Sequence, residues 1–311
     1  MTDPRLTVML PTYAAEDPGS WERVFEIARA ADLAGVDRLV VSDHVVFGEN
    51  LEAYANPEAG GVAGGRQPTG PDGHWLEPLT VLTAVAAQTD RIRLGTYILL
   101  AALRRPVVLA KQLATLDVLS RGRVDLGVGI GWQREEYEAA GLDFGARGRL
   151  LDQSLEVCQT LWRDQRATFT SPELSFEGIH SMPKPLQPGG VPIWVSGRGN
   201  ARVARRLARF GSGWIPWADD AADPAASIPR MRSEVDALGG DASALSVLAP
   251  LPLRRREDGS LDLEASMDRV PVLVDAGVTD VLVHVRVPDS EVGTQETFSE
   301  LAAVFKAASG R

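Results

Sequence analysis

The stretch WERVFEIARAADLAGVDRLVV, residues 21–41, decides the fold. Trp21, Val24, Phe25, Ala28 and Ala31 recur at helical spacing, so one face of a helix is apolar. Gly35 ends that helix, and Leu39 to Val41 is strand-like. Upstream, the apolar run Leu6 to Leu10 is a first strand, and Asp17-Pro18 reads as a helix start with proline at the first helical position. The joint Ala34-Gly35-Val36-Asp37 recurs near the far end as Ala276-Gly277-Val278-Thr279-Asp280, leading into Val281 to Val285. A helix–glycine–strand joint at both ends points to a repeated unit.

Between these ends the same alternation continues. Strand candidates are Ile92 to Leu99, Val124 to Gly129, Pro192 to Ser196, Gly213 to Pro216 and Ser246 to Leu251, which makes eight in all. Helical periodicity covers 77–89, 105–119, 147–163, 199–209, 226–238, 264–275 and 294–308. Alternating strands and helices imply a parallel sheet, and eight units favour closure into an α/β (β/α)₈ TIM barrel over an open sheet. The 311 residues are read as a single domain, 1–311, with long insertions at 44–75 and 164–190. The first follows a strand and therefore belongs to the catalytic face, where it reads as a substrate lid. The second follows a helix but is long enough to fold over the mouth.

The net charge of −10 argues against nucleic acid as a partner. The cluster Arg254, Arg255 and Arg256 is followed at once by Glu257 and Asp258 and reads as a solvated turn. No apolar run is long enough to span a bilayer, and the chain opens directly on a strand without a basic-then-apolar leader. The single cysteine, Cys158, lies on the apolar stripe of Leu151, Leu155 and Trp162, which is core packing rather than a reactive thiol. A soluble, cytoplasmic protein is expected. It has three lysines against 29 arginines.

Several strand ends can carry chemistry. The second strand ends Ser42-Asp43-His44, a carboxylate beside an imidazole at the catalytic end of a strand, suited to general acid–base work. A capping aspartate beside a packed histidine is the bland alternative. The four histidines, His44, His74, His180 and His284, lack close ligand spacing, so no metal site is expected. The fourth strand runs into Gly127-Val128-Gly129-Ile130-Gly131-Trp132, where glycines either admit a flat ring or merely make a tight turn. The fifth ends Ser196-Gly197-Arg198-Gly199-Asn200 and opens a helix. Exposed amides, a helix N-terminus and a guanidinium together make an anion cradle suited to phosphate. Tyr97 faces either the mouth or the core, and His284, within the last strand, is either a substrate ligand or a core histidine. Tyr13, Trp75, Trp132, Trp214 and Trp217 sit near strand ends, where aromatics line a pocket or fill a core.

As an ordered set, the motifs resemble the luciferase-like, flavin-utilising barrel superfamily. They include Ala110-Lys111-Gln112, Thr115-Leu116-Asp117, Ser120-Arg121-Gly122-Arg123, Gly127 to Trp132, Glu135-Glu136-Tyr137, Gly141 and Pro183-Lys184-Pro185-Leu186-Gln187, leading to Pro192-Ile193-Trp194-Val195-Ser196-Gly197. The likeness covers nearly the whole chain and is weakest in 44–75 and 218–265. It implies redox chemistry on FMN or on the deazaflavin coenzyme F420, held at the C-terminal face of the barrel, and it implies a homodimer. It places a proton-handling histidine at His44, a non-prolyl cis peptide at Thr96-Tyr97, and the phosphate loop at Gly197 to Asn200. Luciferases proper carry an arginine where this chain has Ile130, which favours the deazaflavin branch. The sugar-phosphate dehydrogenases of that branch carry a glutamate where this chain has Trp132, which puts a sugar-phosphate substrate in doubt.

The expected activity is hydride transfer between coenzyme F420 and a small organic substrate. His44 is the proton carrier, oriented by Asp43. Thr96, Tyr97, Gly129, Ile130, Gly131, Trp132 and Glu135 border the ring, and Ser196, Gly197, Arg198, Gly199 and Asn200 hold the phosphate. Tyr13, Trp75, Trp214 and His284 face substrate. An FMN-dependent monooxygenase using oxygen is the alternative, with Arg198 replacing the missing cation. A barrel that binds flavin without turnover is a second.

Overall fold

A computed structural model of the chain describes residues 3–310. Eight parallel strands close into one barrel, and each lies beside its neighbours in chain order. They are β1 (Arg5–Met9), β2 (Arg38–Val41), β3 (Arg93–Thr96), β4 (Val124–Val128), β5 (Ile193–Gly197), β6 (Gly213–Pro216), β7 (Ser246–Pro250) and β8 (Asp280–Val283). β8 pairs back onto β1, Arg5 opposite Asp280, which completes the (β/α)₈ TIM barrel. The main helices are α1 (Glu22–Ala34), α2 (Pro78–Ala86), α3 (Pro106–Leu119), α4 (Arg147–Arg163), α5 (Ala201–Phe210), α6 (Pro224–Ala237), α7 (Val270–Asp275) and α8 (Glu291–Ser309). The strands are buried on both faces, as a parallel sheet wrapped by helices requires.

Local chemistry explains the boundaries. Gly35 caps α1 at φ 82°, and Gly277 takes φ 98° at the equivalent joint before β8. Proline opens α2, α3 and α6. The expected start of α1 at Asp17-Pro18 is four residues early. The Asp17 carboxylate instead accepts the Gly19 amide in a local turn, and the helix begins at Glu22. The helix expected over 264–275 is two pieces, Leu263–Met267 and α7, because Pro271 cannot continue a helix from the preceding turn. β3 is shorter than expected. The chain leaves it at Thr96, and the Tyr97–Ile98 peptide that follows is cis, one bond beyond the expected position.

Inside the barrel, charge sits at one end and apolar bulk above it. Val40, Trp194, Ile215, Leu248 and Leu282 fill the middle, with Met9, Tyr97 and Ile98 packed on them toward the mouth. Beneath, at the N-terminal ends of the strands, Arg38 donates to Asp125 (2.8 Å) and Asp280 (2.6 Å). Arg93 forks onto both oxygens of Asp125 at 2.7 Å.

The insertion 164–190 does not fold over the mouth. It forms a hairpin, Ala167–Thr170 against Ser175–Ile179, packed beside α4, and then crosses the underside of the barrel. There the Leu186 and Gln187 amides donate to Asp117 at the end of α3, and the Gln187 side chain reaches Val124 at the start of β4. The physical reason is direction. A barrel helix runs back toward the N-terminal face, so a segment that follows one starts underneath. Arg254 to Arg256 are exposed, as expected of a solvated segment, but Arg254 and Arg255 form one strand of a short hairpin against 261–262 and Arg256 leads into its turn. Cys158 is buried, its thiol pKa pushed up by burial.

Candidate active site

At the C-terminal mouth lies a largely apolar cavity of about 250 Å³. Its walls come from the ends of β1 to β6 and from the loop after β2. Residues 13–14 pair antiparallel with 74–75, so the start of one loop and the end of another are tied across the mouth. Tyr13 and Trp75 stack there at 4.3 Å. Trp132 closes a second side, with Tyr54 of the long loop against it edge-on at 5.3 Å. Within 44–75, Tyr54, Gly60, Gln67 and Pro68 line the cavity. Gly60 sits at φ 106°, where a Cβ would lie 2.9 Å from the Gly131 carbonyl oxygen, so only glycine lets the loop approach the turn after β4 this closely.

His44 lines this cavity. Its Nδ1 lies 3.2 Å from Oε2 of Glu136, and the other oxygen of Glu136 accepts the Val45 amide at 2.8 Å. Glu136 is only 1% exposed, so its charge is not dispersed by water. A carboxylate accepts only, so Nδ1 carries the proton and Nε2 is left for the cavity. Asp43 does not orient His44. Its oxygens take Arg104 (2.6 and 3.0 Å) and the Leu100 amide (2.8 Å), and Arg104 goes on to Glu77 at 2.9 Å. Asp43 therefore clips the segment after β3 beneath the histidine.

The other expected site residues divide as follows. Tyr97, Gly129, Ile130, Gly131, Trp132, Ser196 and Gly197 line the cavity with Tyr13 and Trp75. Burial pushes the Tyr97 hydroxyl up to about 12, so it stays protonated at working pH. Thr96 lies below the floor, its hydroxyl donating to the Gly127 carbonyl oxygen at 2.7 Å. Glu135 is turned aside: a Cβ on Gly48 would run into its side chain, and it does not line the cavity. Trp214 is fully buried in the layer between strands and helices, its indole donating to the Gly197 carbonyl oxygen, so it faces no substrate. His284 falls one residue past β8, is exposed, and does not line the cavity.

Arg198 and Asn200 line an adjoining groove that meets the cavity at Ser196 and Gly197. The expected cradle is partly occupied by the protein itself. Asn200 caps α5 by accepting the Arg202 and Val203 amides, and the Gly199 amide is taken by Asp220 at 2.7 Å. The donors left for an anion are the Arg198 guanidinium and the Ser196 hydroxyl, neither of which bonds a partner among the described residues.

Fold and site together define a (β/α)₈ barrel with an apolar cavity at its C-terminal mouth and a histidine, paired to a buried glutamate, in the cavity wall. The profile of the luciferase-like monooxygenase family matches residues 4–260, and the chain belongs to that family. An uncharacterized protein of Mycobacterium tuberculosis is 31% identical over 260 residues, covering 82% of this chain and 84% of its own. An F420-dependent glucose-6-phosphate dehydrogenase of Segniliparus rotundus is 29% identical over 265 residues, covering 83% and 72%. Among solved structures, an F420-dependent secondary alcohol dehydrogenase in complex with an F420–acetone adduct superposes with a TM-score of 0.76 at 17% identity, covering 98% and 99%. No helix among the described residues is long and apolar enough to cross a membrane.

Proposed function

We propose that the protein is a coenzyme F420-dependent oxidoreductase acting on a small, uncharged organic substrate. The observation that carries this reading is the His44–Glu136 pair at the edge of an apolar cavity that continues into a basic groove at Ser196 and Gly197. The residues fit the cofactor's parts. Tyr97, Ile98, Gly129 and Ile130 form an apolar wall for a flat ring, and the buried Ser42 hydroxyl beside it has no partner among the described residues, ready for a polar ring edge. Ser196 and Arg198 suit a phosphate. When bound, the deazaflavin supplies a ring carbon that gives or takes a hydride and reacts poorly with oxygen. The chain's task is then to hold that ring against the wall, exclude water with the 44–75 loop, and move a proton at His44 Nε2.

The sugar phosphate named for the 29% relative is not carried over. Among the described residues neither Arg nor Lys lines the apolar cavity, and the indole of Trp132 forms part of its wall. Tyr13, Trp75 and Trp132 favour a flat or apolar substrate.

Titration of the full chain with coenzyme F420 and with FMN, followed by fluorescence, tests the assignment. Micromolar binding of F420 with weak FMN is expected; the reverse preference would support the oxygen-using FMN reading, with Arg198 as its phosphate cation. His44→Ala should slow turnover by about 10²–10⁴-fold with cofactor affinity unchanged. An equal loss of both would remove His44 from the chemistry.

A further inference from the structure

Beyond the apolar cavity, a groove of about 760 Å³ runs outward between α4 and α5. Seven arginines line it against two acids, Glu58 and Asp152, in a chain whose net charge is −10. On α5 they fall at Arg202, Arg205, Arg206 and Arg209, one face of the helix, while Val203, Ala204, Leu207 and Phe210 are buried. Three of the seven are neutralised: Arg206 by Asp152 at 2.5 Å, Arg149 by Glu173, and Arg209 by Glu156.

Arg198, Arg202 and Arg205 make no side-chain bond or ion pair among the described residues, although acids are abundant elsewhere in the chain. Arg147 is fixed at the inner wall. It donates to the carbonyl oxygens of Phe144 (2.9 Å) and Ala59 (3.2 Å), lies 3.8 Å over the Phe144 ring, and keeps a buried Nε without a partner. Burial, with Arg134 and Arg202 nearby, holds its guanidinium below the usual arginine range. Unneutralised like charges in one concave site concentrate a positive field that an anion relieves. The basic face from Arg202 to Arg209 spans roughly 10 Å of helix axis at 1.5 Å per residue, more than one anionic group covers. The groove is continuous with the cavity, sharing Gly60, Ile130, Ser196, Gly197 and Trp217.

We propose that this groove binds the string of carboxylates that coenzyme F420 carries beyond its phosphate, with Arg202 and Arg205 as contacts, so that the enzyme prefers long-tailed cofactor. The inference rests on the cofactor reading above. A free polyanion presents the same chemistry, and the test separates the two sources.

The dissociation constants of the full chain are measured by fluorescence for three forms of the deazaflavin: with several glutamates, ending at the phospholactyl group, and lacking the phosphate. The long form is expected to bind about tenfold more tightly than the phospholactyl form, equivalent to about 1.4 kcal/mol, and high salt should erase the difference. The double variant Arg202→Ala, Arg205→Ala should lose that advantage and bind the phospholactyl form as the parent does, while the double lysine variant keeps most of it. Both positions are exposed and alanine favours helix, so folding is retained and is checked by thermal unfolding. Equal affinity of the parent for long and phospholactyl forms would overturn the groove assignment and leave the cofactor reading standing. If free oligoglutamate blocks the groove but a covalent tail adds nothing, the ligand is a separate polyanion and the proposal fails. If no deazaflavin form binds and FMN does, both readings fall together.

Discussion

His44 and Glu136 lie 92 positions apart and meet only because the end of β2 and the short helix Arg134–Ala139 after β4 share one mouth. The sequence shows His44 plainly, because Ser42-Asp43-His44 closes a strand. It does not show the partner. Asp43 is adjacent in the chain but points to Arg104, and of the two acids Glu135 and Glu136, which one faces inward depends on where a six-residue helix starts. On the proposed function, Glu136 acts through His44 as a positioning residue by holding Nδ1–H. Glu136→Gln keeps the shape but can present its amide nitrogen to the ring, so the tautomer is no longer fixed. The expected result is a fall in turnover of about 10–100-fold, the range for losing a group that orients a histidine, with KM and cofactor affinity within twofold. Glu136→Asp should restore part of the rate. Steady-state kinetics beside a fluorescence titration checks this, and a loss confined to stability would make Glu136 merely structural. Trp214 teaches the same lesson: its place near a strand end was readable, but one step in strand parity turns the indole from the mouth into the outer layer.

At the scale of elements, the two insertions were visible by length and by Gly and Pro content, and topology tells them apart. The 44–75 segment follows a strand and lines the cavity. The 164–190 segment follows a helix and starts beneath the barrel. Neither distinction needs a side chain, only the direction of the preceding element. The basic face of α5 was also in the sequence, as four arginines at i, i+3, i+4 and i+7, but an overall charge of −10 conceals a local concentration of the opposite sign. The clip of Asp43 with Arg104 and the Leu100 amide needs tertiary structure, since it joins β2 to the turn beyond β3. Asp43 is fully buried as a side chain and Arg104 partly so. Asp43→Asn leaves Arg104 with Glu77 as its one remaining countercharge among the described residues and is expected to cost at most about 3–5 kcal/mol of stability, read as a shift in the urea midpoint. The surviving folded fraction should bind cofactor normally if Asp43 is an anchor; a turnover defect at full stability would return it to the chemistry.

Taken whole, the molecule separates what holds it together from what it does. Ionic groups plug the N-terminal end of the barrel, and the His44–Glu136 pair proposed to handle the proton sits at the other, the end where barrel enzymes generally carry their active sites. The plug makes a pH prediction. Burial alone would raise the Asp125 carboxyl, but Arg38, the paired bonds from Arg93, and Arg5 outweigh it and hold the carboxyl below its ordinary value of 3.8. Its folded pKa is thus lower than its unfolded one. In acid the unfolded chain binds the proton first, so this contribution is complete above the ordinary carboxylate pKa and is lost as pH falls through the depressed one. Glu77, held down by the Thr80 amide and by Arg104 against its own desolvation, adds to the loss in the same direction. The melting temperature should therefore be flat through neutrality and drop steeply once the pH falls below about 4. Asp125→Asn removes one of the two countercharges of the buried Arg38, Asp280 remaining, together with the fork of Arg93, and should cost at most about 3–5 kcal/mol at pH 7, yet flatten the acid limb, because the titrating group is gone. Melting curves of parent and variant between neutral and acid pH decide it. Parallel curves offset by a constant would mean that acid lability arises elsewhere, and the plug would then be a packing device rather than the pH-sensitive part of the fold.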